Sequence, residues 1–177
     1  MQGLADGYFV LPYTIGDYLS DEISTGPIAN DSEEFINAEK EAREKLDKLI
    51  NNKGSKSVDF FHKKLGKIMW NKCGMARNKK DLELAISEIS KLRKEFWKEV
   101  KVPGDQNEFN EELAKAGRVA DFLELGELFA KDALEREESC GGHFREEYQT
   151  KEGEATRKKE FQFVSAWEYV GEPRDAI

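Results

Sequence analysis

The sequence predicts a mainly α fold, an antiparallel three- to four-helix bundle with an irregular or single-strand C-terminal tail. Charged residues make up 36% of the 177 residues, well above the roughly 25% of ordinary globular proteins. The chain nevertheless contains 11 Phe and 3 Trp, which are large enough to build a core. Apolar residues recur at helical spacing in four segments with short connections, which favours neighbouring helices packed antiparallel.

The first two helices are predicted from apolar stripes and from the residues at their ends. The first begins near Asp31 or Ser32, either of which can cap a helix, and ends in the polar stretch 51–54. The second follows Ser57 and stops around 73–74. The stripes are Phe35, Ala38, Ala42, Leu46, Leu49 and Ile50 in the first helix, and Val58, Phe61, Leu65, Ile68 and Met69 in the second.

The third and fourth helices are predicted in the same way. The third stops at Pro103-Gly104, because proline cannot continue a helix. The fourth runs from about Asn107 to Cys140 and stops at Gly141-Gly142, because glycine adopts the left-handed conformation without strain. The stripes are Leu82, Ala85, Ile86, Ile89, Phe96 and Val100 in the third helix, and Phe109, Leu113, Ala116, Ala120, Leu123, Leu128, Ala133 and Leu134 in the fourth.

The two ends of the chain differ from the predicted bundle domain, residues 23–145. Residues 1–22 begin with closely spaced apolar and small side chains and almost no polar face, which is typical of a helix from the interior of a larger protein. Residues 146–177 are predicted to form an extended tail, in which 161–170 alternate as in a strand. A lone strand needs the edge of another domain or subunit, so both ends are predicted to be interfaces.

Charge and composition exclude several classes of protein. The net charge is −8 and the basic residues alternate with acidic ones, which argues against nucleic-acid binding. No apolar run approaches the ~20 residues that span a bilayer, so direct membrane insertion is not expected. Two cysteines, Cys73 and Cys140, provide no disulfide framework, which favours a cytoplasmic protein with reduced thiols.

No familiar catalytic motif is present. The sequence contains neither a glycine-rich phosphate loop nor a nucleophile elbow nor a zinc-protease motif. Cys140 and His143 have a C-x-x-H spacing, but only Cys73 and His62 remain as further zinc ligands of the usual kind, which disfavours a metal site. A catalytic pair of Cys140 and His143 is equally disfavoured across a glycine turn. We therefore predict no catalytic residue and no metal ligand.

Two polar segments are candidates for contact with a partner. In 136–147, Arg145 can offer a planar fork to a carboxylate or carbonyl next to two glycines; the alternative is a helix end with solvated charges. In 73–78, Arg77 lies on a tight loop where it can contact a partner domain; the alternative is a helix stop followed by a polar turn. The residue types alone leave both pairs of alternatives open.

Three segments together resemble the C-terminal part of the flavoprotein subunit of succinate dehydrogenase and fumarate reductase, with L-aspartate oxidase as a more distant relative. Residues 138–145, E-S-C-G-G-H-F-R, resemble the family's E-S-R-G-A-H-x-R after a long helix. Residues 69–77 resemble its M-x-x-x-x-G-[VI]-x-R. Residues 1–10 resemble the helix that follows an N-R-L-G stretch beside the flavin. Cys140 and Gly142 replace the family's Arg and Ala, which puts any role of that Arg in doubt.

The resemblance implies that this chain is one part of a larger enzyme. In this family FAD accepts hydride from a C4-dicarboxylate, while the flavin-binding domain, the flavin-linking histidine, the capping domain and the substrate-binding arginines lie upstream. We therefore expect FAD in the parent subunit but none bound to this chain, and we expect the chain alone to be inactive. The chain is also expected to be truncated at both ends, upstream of Met1 and after Ile177. Met1 and Gln2 are expected near the flavin ring in the intact subunit.

The resemblance also implies partners. These are the chain's own flavin-binding domain, an iron–sulfur subunit and, through it, a membrane anchor on the cytoplasmic face of the inner membrane. Residues Arg77, Glu138, Ser139, His143 and Arg145 are expected at interdomain or inter-subunit contacts. Two rival hypotheses remain: a free-standing helical interaction module without enzymatic activity, and a small metal-dependent enzyme that uses His143, Cys140 and nearby carboxylates.

Overall fold

The computed structural model of the chain describes residues 1–22, 26–27, 29–105, 108–168 and 170. These form two compact units, Met1–Ala42 and Arg43–Ile177. Two sequence predictions fall partly outside the described residues, namely the start of the fourth helix at Asn107 and the end of the alternating stretch at Tyr169. The boundaries predicted at 22/23 and 145/146 stay predictions.

The described residues of the first unit are mostly helical and form almost no core of their own. Three helical segments follow one another: α1 (Gln2–Ala5), a π-helical stretch (Asp6–Val10) and α2 (Leu11–Tyr18). None of their residues is buried. Large apolar side chains are exposed, with Tyr8 at 74% and Ile15 at 56%. Such a surface is unusual for a helix that stands alone in water.

The first two predicted helices of the bundle are confirmed. The first is α3 (Glu33–Asn51), which begins directly after Ser32. The second is α4 (Val58–Lys72), whose first turn is capped by Ser57, because its side-chain oxygen accepts a hydrogen bond from the Phe60 backbone N–H at 3.2 Å.

A third helix, α5 (Lys79–Glu99), is capped by Asn78 and ends earlier than Pro103-Gly104. Short strands β1 (Lys56–Ser57) and β2 (Val100–Lys101) pair in parallel. Because β1 precedes α4 and β2 follows α5, this pairing brings the start of α4 to the end of α5, which makes the two helices antiparallel. The chain passes very close beside this pair, since a Cβ on Gly54 would lie 2.1 Å from the carbonyl of Glu99.

The fourth helix is shorter than predicted. It is α6 (Glu111–Glu135), and its cap is Asn110, whose side chain accepts a hydrogen bond from the Leu113 N–H at 3.0 Å. Its C-terminal end at Glu135 lies six residues before Gly141, so the prediction of a glycine stop was wrong. Arg136 instead adopts an extended conformation, with φ −78° and ψ 95°.

The core lies between α4, α5 and α6 and contains most of the predicted stripes. Phe61 and Phe96 are fully buried and pack edge to face, with ring centroids 5.2 Å apart. Some predicted stripe residues are exposed, however: Phe109 at 89%, Phe35 at 51%, Leu46 at 43% and Leu128 at 39%, together with Ala38 and Ala42. The prediction that these residues face the core was wrong, because Phe109 precedes the first residue of α6 and the others lie on helix faces that stay in contact with solvent. Within the described residues, no helix combines the length and apolarity that crossing a bilayer requires.

After α6 the chain folds back before it becomes irregular. Gln149 and Ala155 form an isolated antiparallel bridge, and the Thr156 N–H donates to the Tyr148 carbonyl at 3.1 Å. A single 3-10 turn, Lys159–Phe161, follows. Residues 162–168 form no strand, so the irregular version of the predicted tail is the one observed.

Candidate functional site

The five predicted contact residues come together beside the C-terminal end of α6. Four of them, Glu138, Ser139, His143 and Arg145, lie in the segment that follows this helix, and Arg77 reaches them from the loop between α4 and α5. We call this group, with Arg136 and Glu147, the polar cluster. Glu138, Ser139 and Arg145 are buried within the chain itself. The cluster is therefore first a piece of internal structure, and its contact with another domain stays a prediction.

Arg145 is the centre of the cluster and is only 1% exposed. Its Nη1 donates hydrogen bonds to the carbonyls of Ala133 at 2.9 Å and Leu134 at 3.1 Å, and its Nε donates to the Glu147 carboxylate at 3.1 Å. The last carbonyls of a helix lack partners within it and carry partial negative charge. A guanidinium with several fixed donors satisfies them, which explains why α6 can end without a glycine.

Ser139 and Glu138 hold the chain around Arg145. The Arg145 N–H donates to Ser139 Oγ at 2.8 Å, and this hydroxyl donates to the Arg145 carbonyl at 3.1 Å. The Glu138 carboxylate accepts from the backbone N–H of Lys158 at 2.9 Å and from Arg136 at 3.1 Å. The Lys158 N–H, followed by Arg136, lowers the pKa of Glu138. This carboxylate therefore ties the tail back to the end of α6.

The two glycines form a tight turn between Cys140 and His143. The N–H of each of these residues donates to the carbonyl of the other, at 2.8 and 3.0 Å. Gly141 has φ +58°, a conformation that favours glycine, and this explains the glycine here better than a helix stop does. The contact between Cys140 and His143 is one of backbones.

The His143 side chain is fully engaged elsewhere. Its Nε2 lies 2.9 Å from the Arg136 carbonyl, and its Nδ1 lies 3.0 Å from Arg77 Nη1. A carbonyl can only accept and a guanidinium can only donate, so the ring must be neutral with its proton on Nε2. Burial, together with the nearby positive charges of Arg77, Arg145 and Arg136, lowers the pKa of His143.

Arg77 connects the cluster to the loop between α4 and α5. Its N–H donates to the Phe144 carbonyl at 3.0 Å, and its own carbonyl accepts from the Glu146 N–H at 2.8 Å. Its Nε donates to the Gly74 carbonyl at 3.0 Å. The guanidinium lies 4.8 Å from the ring centroid of Phe129 on α6, a cation–π distance. One residue thus joins two loops and a helix within the chain, and contact of Arg77 with a partner domain stays a prediction.

The arrangement offers stability and little chemistry. Both ring nitrogens of His143 are bonded to other groups, so this residue has no free nitrogen to activate the Cys140 thiol. Among the described residues, no three His, Cys, Asp or Glu side chains are grouped to hold a metal ion. The other cysteine, Cys73, is buried, and burial raises the pKa of its thiol. A buried cysteine with a raised pKa is a poor nucleophile.

Met1 and Gln2 lie far along the sequence from the cluster and are exposed in the first unit. Their predicted position beside a flavin stays a prediction.

Sequence reasoning overlooked three members of the site. Arg136 supplies the carbonyl for His143 and a donor for Glu138, Glu147 accepts from Arg145, and Phe129 lies under Arg77. Arg136 and Glu147 stood in the polar segment 136–147, and the only signal was their opposite charge near Glu138 and Arg145. Phe129 carried no signal beyond its place on α6.

Comparison with known proteins gives this geometry a family context. Residues 62–175 match the family described as fumarate reductase flavoprotein C-term. A fumarate reductase flavoprotein subunit of Haemophilus influenzae is 27% identical over 139 residues, which cover 78% of this chain. A fumarate reductase flavoprotein subunit of Helicobacter pylori is 29% identical over 140 residues, which cover 79% of the chain.

A solved structure of an E. coli quinol fumarate reductase matches 77% of the chain with a TM-score of 0.62 and 24% identity, a likeness of fold. The chain spans only 23% and 20% of the length of the two curated relatives, and 22% of the solved chain. The relatives are therefore four to five times longer than the part that corresponds to this sequence.

Proposed function

We propose that this chain, which belongs to the family of fumarate reductase flavoprotein C-terminal domains, is the helical support domain of a FAD-dependent flavoprotein subunit that interconverts succinate and fumarate. The observation that carries the proposal is the family match across α4, α5, α6 and the polar cluster together. In this chain the characteristic segment 138–145 is used to end α6 and to hold the loop of Arg77. Its role is therefore to fix the shape of the domain.

Under this proposal the reaction takes place in a part of the parent subunit that lies outside this chain. FAD would accept or donate the hydride in the parent subunit, with arginines positioning the dicarboxylate. The sequence of this chain has no glycine-rich phosphate loop for the cofactor. The candidate residues that could take part in acid–base or charge chemistry already have partners within the domain. His143 is held neutral between two hydrogen-bonding groups, and Arg145 is buried against backbone carbonyls. We propose that this domain supports the flavin-binding domain and has no catalytic residue.

The same proposal assigns partners and location. The flavin-binding domain would be covalently continuous with this one, and electrons would pass to an iron–sulfur subunit and then to a membrane anchor. The assembly would be peripheral on the cytoplasmic face of the inner membrane. The exposed apolar side chains of residues 4–19 support the proposal that a partner covers the first unit, because exposing so many of them to water is unfavourable. Residues 1–22 would then be the terminal helix of the flavin-binding domain.

A direct test is to purify the 177-residue chain and assay it with succinate and a reducible dye. We expect a colourless protein without activity. The same assay on the complete flavoprotein subunit is the positive control. A yellow preparation of the chain alone that reduces the dye would overturn the proposal.

The reading frame upstream of Met1 separates the proposal from a free-standing interaction module. We expect the frame to continue through an N-R-L-G-like stretch and a flavin-binding domain. A stop codon and a ribosome-binding site directly upstream would favour the module and would leave the enzyme assignment to ancestry.

A further inference from the structure

The segment 53–80 carries a charge opposite to that of the rest of the chain. It contains nine Lys and Arg residues and a single acidic residue, Asp59, so its net charge is +8 in a chain whose net charge is −8. Lys and Arg alternate with acidic residues in other segments, such as 39–45, but not in this one. The segment comprises β1, α4, the loop after α4 and the start of α5. One continuous stretch of the structure is therefore strongly basic.

A polar groove of about 230 Å³ lies between α4 and α5 within this basic stretch. We call it the α4/α5 groove, and its lining residues are Lys64, Lys67, Ile68, Asn71 and Lys72 of α4 and Glu88 of α5. Five of these six side chains are charged or form hydrogen bonds, and three of them end in an ammonium group. Such a lining suits a partner that carries negative charge.

The carboxylates around the groove neutralise only part of its positive charge. Lys64 Nζ lies 3.1 Å from the Glu95 carboxylate, and Lys72 Nζ lies 3.6 Å from the Glu88 carboxylate. Lys67 is exposed, and no group in the described part of the chain pairs with it. An unpaired cation among other cations raises the local potential and attracts an anionic group from outside.

Two large apolar side chains beside the groove are almost completely exposed, Trp70 at 84% and Met75 at 91%. Trp70 follows Lys67 by three positions and Lys63 by seven, so these three residues share one side of α4. Exposed Trp is the residue type most typical of the energetic centre of a protein interface. We call this side of the helix the basic face and define it by its exposed residues Lys63, Lys64, Lys67, Trp70 and Asn71.

We propose that the basic face binds a short acidic segment, rich in Asp and Glu, of a separate protein that associates reversibly with this domain. This inference does not depend on the proposed function. The centre of a permanent interface is apolar and depleted in lysine, whereas charge complementarity steers the encounter of reversible partners. A face made largely of lysines therefore fits a reversible partner.

The charge of the rest of the chain restricts the partner further. A long phosphate polymer or an anionic membrane extends past a single helix and meets the remaining residues, whose net charge is −16. Two copies of this chain, each with a net charge of −8, repel one another. A short acidic segment with an apolar side chain for Trp70 avoids both kinds of repulsion.

The first test measures binding of a defined probe to the full-length protein by fluorescence anisotropy. The probe is a labelled peptide of Glu and Ser with a single Leu, and its control contains Gln in place of Glu. We expect the acidic peptide to bind at an ionic strength of ~0.05 M and to lose affinity about tenfold or more at ~0.5 M, where charges are screened. Failure of the acidic peptide to bind, or equal binding of the Gln peptide, would overturn the inference.

Matched substitutions then locate the binding surface. Lys67→Glu should weaken binding of the acidic peptide about fivefold, whereas Lys94→Glu, the same change at an exposed lysine of α5 outside the groove, should change it about twofold at most. Trp70→Ala should weaken binding about tenfold, and the exposure of this side chain leaves the fold intact. Equal losses in the two lysine variants, or unchanged affinity in Trp70→Ala, would contradict the inference.

The second test identifies where the acidic segment comes from. A photoreactive phenylalanine analogue replaces Trp70 in the full-length protein within the cells that make it, and mass spectrometry identifies the attached peptide. We expect an acidic peptide of another protein, and we expect Lys67→Glu in the same molecule to reduce its capture about fivefold. Attachment within the same chain, to a second copy, to nucleic acid, to lipid or to a peptide that is not acidic, or no attachment at all, would overturn the inference.

Discussion

The bundle core and the polar cluster lie side by side at α6, yet they are stabilised in different ways. The core buries Phe61, Phe96 and aliphatic side chains, whose contribution depends on area and packing. The cluster buries Arg145 and Ser139 and depends on each donor having an acceptor. The core should therefore tolerate changes of pH and fail when volume is removed, whereas the cluster should respond to lost hydrogen bonds and to protonation.

The largest effect is expected in the core. Phe61→Ala removes a fully buried ring that packs on Phe96 at 5.2 Å, and should lower the free energy of unfolding by about 3–5 kcal/mol. The matched control is Phe109→Ala, because Phe109 is 89% exposed and should contribute little. Urea unfolding followed by circular dichroism measures both. A loss of similar size in the two variants would show that the core is not where the structure places it.

A smaller effect of a different kind is expected in the cluster. Arg145→Met keeps much of the volume but leaves the carbonyls of Ala133 and Leu134 without their donor, which should cost about 2–4 kcal/mol. Arg145→Lys keeps the charge but cannot reproduce the several donors of the guanidinium, so it should lie between Met and the unchanged chain. If Met and Lys destabilise equally little, the guanidinium does not hold the end of α6.

The smallest expected effect distinguishes the two regions by pH. His143 has a lowered pKa in the folded chain, so the unfolded chain takes up the proton first when the pH falls below the ordinary value of 6.5. Stability is therefore greatest above about pH 6.5 and should fall as the pH drops towards the folded pKa. His143→Gln can still donate to the Arg136 carbonyl and accept from Arg77, but it does not titrate. Urea midpoints between pH 5 and 7.5 should fall more in the unchanged chain than in this variant, and parallel curves would contradict the assigned protonation state.

The sequence predicted the helices well where the signal is local. Ser57 is followed directly by a helical stripe, and both features depend on residues a few positions apart. Pattern also predicted that Leu65, Ile89 and Leu123 lie in the core. Local signals were less reliable at helix ends, because Asn110 and not a residue near 107 caps α6.

The polar cluster shows why the rest was out of reach. Arg77 and His143 are separated by 66 positions in the sequence, and only the fold brings their side chains to 3.0 Å. The end of α6 was mispredicted for the same reason, because its last carbonyls are satisfied by Arg145, which comes after the glycine turn. The family resemblance singled out residues that the fold brings together, but it did not predict their contacts, and their place at a contact with another domain or subunit stays a prediction.

The central claim is that this domain supports a flavin enzyme and has no catalytic residue. The most direct test is to measure succinate oxidation per bound flavin in the complete subunit with Arg77→Lys or His143→Gln. We predict a rate per flavin close to that of the unsubstituted subunit, even if flavin content or stability falls. Since a general acid or base contributes about 10²–10⁴-fold, a loss of rate per flavin of that size would contradict the account.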